Sequence, residues 1–143
     1  MAIGDGELLI FGQHRASCRR NIQTSRPQVL QNRLISHAAD ILDISATLPK
    51  TPQATHISRQ LLRSGTAAAA NYGEARGAES RSDFVHKLRI VLKELNETAV
   101  WLQLILESSL IMPEKMTAVV AENEELPKIV AASIKTAGGF ERA

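Results

Sequence analysis

Two residues in the middle of the chain, Arg81 and His86, could together act on a phosphodiester bond. An arginine guanidinium binds phosphate oxygens through paired N–H donors, and a histidine can transfer a proton near neutral pH. Four residues separate the two, so one helix would carry both. The reaction that such a pair would support is the cleavage of RNA.

The Arg81-x4-His86 spacing resembles the Arg-x4-6-His motif of HEPN ribonucleases, which are also helical bundles and use these two side chains on RNA phosphates. That resemblance implies a ribonuclease. The polar residue that usually follows the arginine is replaced by Ser82, and His86 adjoins a predicted core stripe. A pair of this kind also arises easily by chance, so a ribonuclease is the second hypothesis, behind a non-enzymatic function.

Other catalytic and metal-binding patterns are absent from the sequence. It contains no CxxC, P-loop, GxGxxG or HExxH motif. A di-metal bundle needs two Glu-x-x-His motifs and two further glutamates, whereas this chain has only Asp83-Phe84-Val85-His86. We therefore predict no catalytic residue, no metal and no cofactor. The single Cys18 and the lack of a run of ~18 apolar residues favour a reduced, cytoplasmic setting without membrane insertion.

The pattern of apolar residues predicts an all-α protein, an antiparallel up-down-up-down four-helix bundle. Aromatic residues make up only 3% of the chain, so the core must be aliphatic, which favours helices over a β-sandwich. Residues 1–26 are predicted to be a flexible basic extension, residues 27–139 the bundle and residues 140–143 a tail. The stripes that indicate the four helices are Leu30, Leu34, Ala38, Ile41 and Leu48; Ile57, Leu61, Ala68 and Tyr72; Phe84, Leu88, Val91, Leu92, Leu95, Ala99, Leu102 and Leu106; and Met116, Val119, Val120, Asn123, Val130 and Ile134.

Glycine, proline and serine mark special points on these helices. Gly65 lies inside the second helix, where glycine costs about 1 kcal/mol relative to alanine, so it needs a packing reason. Either Ser80 or Ser82 can cap the third helix. Pro127 should kink or split the fourth helix, and Gly138 and Gly139 should end it.

The third helix carries a second apolar face outside its main stripe. On a helical wheel with Phe84 set at 0°, the main stripe spans roughly 340° to 80°. A second stripe lies on another side of the helix, at about 200–280°. An exposed face that contains a tryptophan is typical of an interface, so we predict self-association there. The alternative is that the third helix is central and touches helices on both sides. The predicted interface residues are Ile90, Glu94, Glu97, Trp101 and Leu104.

The central third of the chain resembles a known family. The segments that carry the resemblance are Leu61–Ser64, Asn71–Ala75, Ala78–Phe84 and His86–Thr98. They resemble the bacterial four helix bundle protein family, also called the ribosomal RNA intervening-sequence protein family. The match is nearly continuous from about residue 57 to 106, loose in the first and fourth helices, and departs at Ala75, where many members have glycine.

The resemblance implies an antiparallel four-helix bundle that assembles as a homopentameric ring, without an established catalytic activity. The family name suggests a connection with RNA. A more distant relative, the accessory protein of diversity-generating retroelements, is a basic pentamer that binds a reverse transcriptase and nucleic acid; this chain is less basic. The resemblance therefore favours a non-enzymatic oligomeric scaffold or adaptor whose partner is RNA or a nucleic-acid-handling protein.

The resemblance and the charge pattern each single out a group of polar residues. Asn71 and Glu74 lie one turn apart, and we predict a structural polar network in which Asn71 bonds a neighbouring helix or the linker and Glu74 pairs with an arginine. Candidate nucleic-acid contacts lie in the second and third helices, although interleaved carboxylates weaken their field, and a solvated mixed-charge surface is the alternative. These contacts are Arg59, Arg63, Arg76, Arg81, Lys87 and Arg89.

Overall fold

The computed structural model describes residues 25–138, which form four helices joined by short turns. The helices are α1 (Arg26–Thr47), α2 (Pro52–Arg76), α3 (Arg81–Glu107) and α4 (Pro113–Gly138). Each helix packs against the next one along the chain, and the α1–α4 seam closes the bundle with the sparsest contacts. The predicted all-α four-helix bundle is confirmed. Residues 1–24 of the predicted extension 1–26, with Cys18, and the predicted tail 140–143 lie outside the described residues, whereas Arg26 already belongs to α1.

Side-chain caps fix where three of the helices begin. The Ser25 hydroxyl accepts from the backbone N–H of Gln28 at 3.4 Å, and Thr51 Oγ1 accepts from Ala54 at 3.2 Å. For α3 the cap is Ser80, whose hydroxyl accepts from the Asp83 N–H at 3.0 Å. Each of these bonds satisfies a donor that the first helical turn leaves without a partner.

Helix α4 continues unbroken through Pro127, so of the two predicted outcomes, a kink or a split, the split is wrong. Proline cannot donate to the carbonyl of Asn123 one turn earlier, which costs the helix one hydrogen bond. Leu126 and Val130, on either side of the proline, are both fully buried. Burial of this face keeps the segment helical, because tertiary packing outweighs local propensity.

Helix α3 buries a wider arc than its main stripe predicted, because it packs against both α2 and α4. Val85, Thr98 and Ile105 are buried, although none of them belongs to that stripe. Ala99 was predicted to be an inner residue and is exposed. The central position of α3, which the sequence left as an alternative, is what widens the buried arc.

The bundle contains two aliphatic cores with a polar layer between them. One core lies toward the α2–α3 turn and includes Leu34, Leu88 and Val130; the other lies toward the α3–α4 turn and includes Ile41 and Met116. The side chains of the layer are buried and come from all four helices. They are His37, Ser64, Thr98 and Asn123.

Gly65 is buried where α2 crosses α1 at close range. A Cβ added at this position would lie 2.5 Å from Ile41 Cδ1 and 3.0 Å from Ile41 Cγ2, closer than carbon atoms pack. The close approach of Ile41 is therefore the packing reason for a glycine at this position. Gly73, two turns later in the same helix, is exposed, and a Cβ there would meet nothing within 4 Å.

These two glycines should respond with opposite signs to the same substitution. We expect Gly65→Ala to lower the free energy of unfolding by about 1 kcal/mol, because overpacking of about 1–3 kcal/mol exceeds the ~1 kcal/mol gained in helix propensity. Gly73→Ala should raise it by up to ~1 kcal/mol. Urea unfolding measures both. Adding Ile41→Val to Gly65→Ala removes the closest atom and should recover part of the loss; the absence of any recovery would contradict the assigned clash.

Candidate functional site

His37, at the middle of α1, is the buried histidine of the polar layer, and only 1% of it is exposed. Its Nε2 lies 2.9 Å from Asn123 Oδ1 on α4. The amide of Asn123 in turn donates through Nδ2 to the carbonyl of Leu95 on α3 at 3.1 Å. One chain of hydrogen bonds thus crosses three helices at mid-height.

The hydrogen bonds of Asn123 determine which ring nitrogen of His37 donates to it. Asn123 uses its Nδ2 as the donor to Leu95, so its Oδ1 is an acceptor and His37 Nε2 must carry the proton. His37 Nδ1 is buried without a hydrogen-bond partner. Burial lowers the pKa of His37, against smaller opposing effects of the Asn123 bond and of the Glu122 and Asp40 charges. The ring is therefore neutral at physiological pH. Sequence reasoning had placed Asn123 inside but missed His37, whose position next to the apolar Ala38 was the available signal.

The predicted interface stripe of α3 is partly covered by α2. Arg63 of α2 reaches across to both acidic residues of the stripe: its Nη1 lies 3.3 Å from Glu94, and its Nη2 bonds Glu97. Trp101 Nε1 donates to the same Glu97 carboxylate at 3.1 Å, and the ring of His56 meets the Trp101 ring edge-on at 6.1 Å. The acidic middle of the stripe is thus engaged within the chain.

Contact with Arg63 sets the electrostatics of this stripe. The Arg63 hydrogen bond lowers the pKa of the Glu97 carboxyl, and the Trp101 indole lowers it further. The pKa of Arg63 is raised by the same Glu97 contact. Both side chains remain substantially exposed, so the ion pair contributes at most about 1 kcal/mol to stability.

The two ends of the stripe differ in exposure. Ile90 and Trp101 are half-buried, whereas Leu104 is 40% exposed. The neighbouring Val100, 61% exposed, extends the apolar surface on the outer side of α3. An uncovered aliphatic surface therefore lies beside the tryptophan.

Asn71 and Glu74 do not make the contacts that the sequence predicted for them. Asn71 Nδ2 donates to the carbonyl of Ala67 in its own helix at 2.9 Å, not to a neighbouring helix or the linker. Glu74 pairs with Lys87 of α3 at 2.8 Å and with none of the arginines considered. Asn71 is only half-buried, so it has no demand for a partner on another helix. The buried polar network is instead the layer around His37 and Asn123.

The six candidate nucleic-acid contacts do not form one patch. Arg63 and Lys87 are ion-paired to carboxylates. Arg59 lies near the start of α2, and Arg76 lies at the end of the same 25-residue helix. Arg76, together with the exposed Arg81 and Arg89, lies near the α2–α3 turn.

Arg81 and His86 are both exposed on α3. Residues five apart on an α-helix point about 140° away from each other. Within one chain the two side chains therefore do not converge on a common phosphate.

The described residues offer little that could bind a small molecule or a metal ion. A groove of about 260 Å³ opens at the α1–α4 seam, lined by Arg26, Val29, Leu30, Arg33 and Ile129. Its floor is aliphatic, and Arg33 is engaged by Glu122 through two bonds of 2.8 and 3.0 Å. Within residues 25–138, no cluster of three metal-ligating side chains is present, and none of the four helices is long and apolar enough to span a membrane.

Comparison with known proteins identifies both a family and a similar solved structure. The model of the 23S rRNA-intervening sequence protein family matches residues 29–132. The crystal structure of a protein of unknown function from the S23 ribosomal protein family of Bacteroides thetaiotaomicron superposes with a TM-score of 0.70 at 35% sequence identity, covering 74% of this chain and 98% of that one. No curated protein matches the chain.

Proposed function

The chain belongs to the 23S rRNA-intervening sequence protein family, and from this premise we propose that it is a non-catalytic scaffold that assembles with copies of itself and binds RNA or a nucleic-acid-handling protein. The observation that carries the proposal is the uncovered aliphatic surface of α3, made of Val100 and Leu104 beside Trp101. No enzymatic step is part of the proposal.

Self-association follows from the cost of leaving this surface in water. Val100 and Leu104 are exposed together on one helix face and lie beside the half-buried Trp101. Burial of such a surface against a second copy removes apolar area from water at about 25 cal/mol per Å². A ring repeats every weak contact of its subunits, so a pentamer would bind an extended partner far more tightly than one chain does.

The RNA part of the proposal rests on the family and on charge. The family name refers to sequences that interrupt 23S rRNA. The chain also carries a surplus of exposed arginine near the α2–α3 turn, where Arg76, Arg81 and Arg89 lie. Cations on a repeated surface attract a polyanion even when the net charge of one chain is small.

Charge placed on the α3 surface should dissociate the assembly. We expect the wild-type chain to show a multiple of 15.6 kDa in light scattering at micromolar concentration, with five copies as the predicted number. Val100→Glu combined with Leu104→Glu should reduce the mass to that of one chain, because each chain would bring two unpaired carboxylates into a ring interface. The matched control is Ile35→Glu with Leu42→Glu, two residues 52% exposed on α1, a helix that does not pack against α3.

Three results decide this proposal. A monomeric wild type would sink it. Dissociation by the α1 pair and not by the α3 pair would move the interface to the other side of the bundle. An RNA cleavage activity that His86→Ala abolishes would replace the scaffold with a ribonuclease.

A further inference from the structure

The fold sorts the positive charges into one half of the bundle, although the net charge of the sequence is only +2. The polar layer at the level of His37, Leu95 and Asn123 divides the bundle in two. We call residues 26–36, 66–94 and 124–138 the basic half and residues 37–65 and 95–123 the opposite half. The basic half contains nine lysines and arginines and the opposite half four, while each half contains six carboxylates. The helices thus separate charges that alternate along the sequence.

Ion pairing leaves most of the cations of the basic half unneutralised. Three of the nine pair with a glutamate, namely Arg33, Lys87 and Lys128. The other six make no ion pair with a described carboxylate: Arg26, Arg76, Arg81, Arg89, Lys93 and Lys135. This half therefore keeps a positive field that its own acidic side chains do not cancel.

Arg76 is held in place by neutral groups. Its Nη1 donates to Gln28 Oε1 at 2.8 Å and also bonds Gln31 Oε1. Amide oxygens orient a guanidinium without neutralising it, unlike a carboxylate. A cation fixed in advance loses less conformational entropy when it meets an anion.

On α3, Arg89 and Lys93 lie one turn apart and are both exposed, and Arg81 is the first residue of the helix. These cations are spread over the surface and enclose no pocket. Such an array matches a repeating line of phosphates better than one small phosphate ligand, which needs convergent donors.

We propose that the basic half, through Arg76, Arg81, Arg89 and Lys93, binds the sugar–phosphate backbone of a nucleic acid. This inference rests on the proposed scaffold function and names the surface that serves it. Arg59 and Arg63, which the sequence had grouped with these residues, lie in the opposite half. RNA and DNA share the phosphodiester backbone, and the test distinguishes them.

The test compares two pairs of exposed cations whose removal changes the net charge equally. Arg89→Ala with Lys93→Ala removes two from the basic half, and Arg59→Ala with Lys115→Ala removes two from the opposite half; none of the four makes an ion pair with a described residue. The probes are a 30-nucleotide oligouridylate and an oligothymidylate of equal length, each titrated by fluorescence anisotropy over a salt series, with light scattering of the same samples.

We expect the basic-half pair to weaken binding about tenfold at low salt and to reduce the slope of log K against log salt by up to about 1.4, since each phosphate contact on a single strand contributes about 0.7. The opposite-half pair should weaken binding less than twofold. Tighter binding of oligouridylate identifies RNA as the natural ligand, and equal binding of both probes supports recognition of the backbone alone.

Equal losses from both pairs would overturn the assignment to the basic half while leaving the scaffold intact. Absence of binding to either probe by an oligomeric wild type would overturn both this inference and the RNA part of the proposed function. Salt-independent binding of the two probes would also refute it. A monomeric wild type that still binds through Arg89 and Lys93 would sink the scaffold and leave this surface standing.

Discussion

Asn123→Leu is expected to lower the free energy of unfolding by about 3 kcal/mol, although it replaces a polar side chain in the core with an apolar one of similar size. The loss arises because His37 Nε2, 2.9 Å from Asn123 Oδ1, would keep its proton without an acceptor. His37 is 1% exposed, so water cannot replace the missing partner. A buried donor without an acceptor costs about 1–3 kcal/mol, and the second nitrogen of this ring already lacks a partner.

Removing both partners should cost much less than removing one. His37→Leu alone leaves Asn123 Oδ1 without its donor and should cost about 2 kcal/mol, while the double variant should unfold within about 1 kcal/mol of wild type. Urea unfolding of the four proteins forms a double-mutant cycle, and the expected coupling is at least about 4 kcal/mol, the two single losses less the small loss of the double variant. Additive effects of the two substitutions would show that the His37–Asn123 bond is not what the single variants lose.

Thr98→Val is the matched control in the same polar layer. Thr98 Oγ1 lies 2.9 Å from Ser64 Oγ, but Ser64 also donates to the carbonyl of Leu61 at 3.4 Å and so keeps a partner. We expect a loss below about 1 kcal/mol. A loss as large as that of Asn123→Leu would mean that any polar-to-apolar change in this layer is costly, whatever it leaves unpaired.

The architecture could be predicted because it depends on local patterns. Helix starts follow from Ser25, Thr51 and Ser80, whose hydroxyls cap the following turn, and helix faces follow from aliphatic spacing. The effect of Pro127 could not be judged in the same way. Its outcome depends on how strongly Leu126 and Val130 are buried against other helices, which one helix's own sequence does not contain.

The buried network could not be predicted from spacing, because its members are far apart in the chain. His37 and Asn123 are 86 residues apart, and neither belongs to a recognisable motif. Asn71 and Glu74 attracted attention because they lie close together and within a family resemblance, yet their contacts are a bond within α2 and a partly exposed ion pair. Asn71 and Glu74 were selected because they are close in sequence. The members of the polar layer share only their height along the four helices.

The charge distribution likewise does not follow from the order of the charged residues along the chain. A net charge of +2 with alternating signs predicts a weak field, and that prediction assumes that charges mix in space as they do in sequence. The antiparallel path instead brings the start of α3, which carries Arg81 and Arg89, beside the end of α2, which carries Arg76. Topology therefore decides which charges add, and the predicted bundle would have been enough to count them.

The stability of the bundle should depend on pH through His37. Burial lowers its pKa below the ordinary value of about 6.5, so the unfolded chain takes up a proton at a higher pH than the folded chain does. Above about pH 6.5 His37 is neutral in both the folded and the unfolded chain, so its titration takes nothing from the free energy of unfolding. As pH falls from about 6.5 through the folded-state pKa, the free energy of unfolding should decrease, by up to about 1.4 kcal/mol per pH unit.

Urea unfolding between pH 8 and pH 5 measures this slope, and His37→Gln isolates it. The glutamine amide can still donate to Asn123 Oδ1 but cannot take up a proton in this range, so the variant should lose most of the slope. His56→Gln and His86→Gln change exposed residues and should retain it. Glu122 and Asp40 lie near enough to raise the pKa of His37 and so work against the effect of burial. A slope unchanged in His37→Gln would therefore show that this ring accepts a proton inside the folded bundle as readily as it does in water.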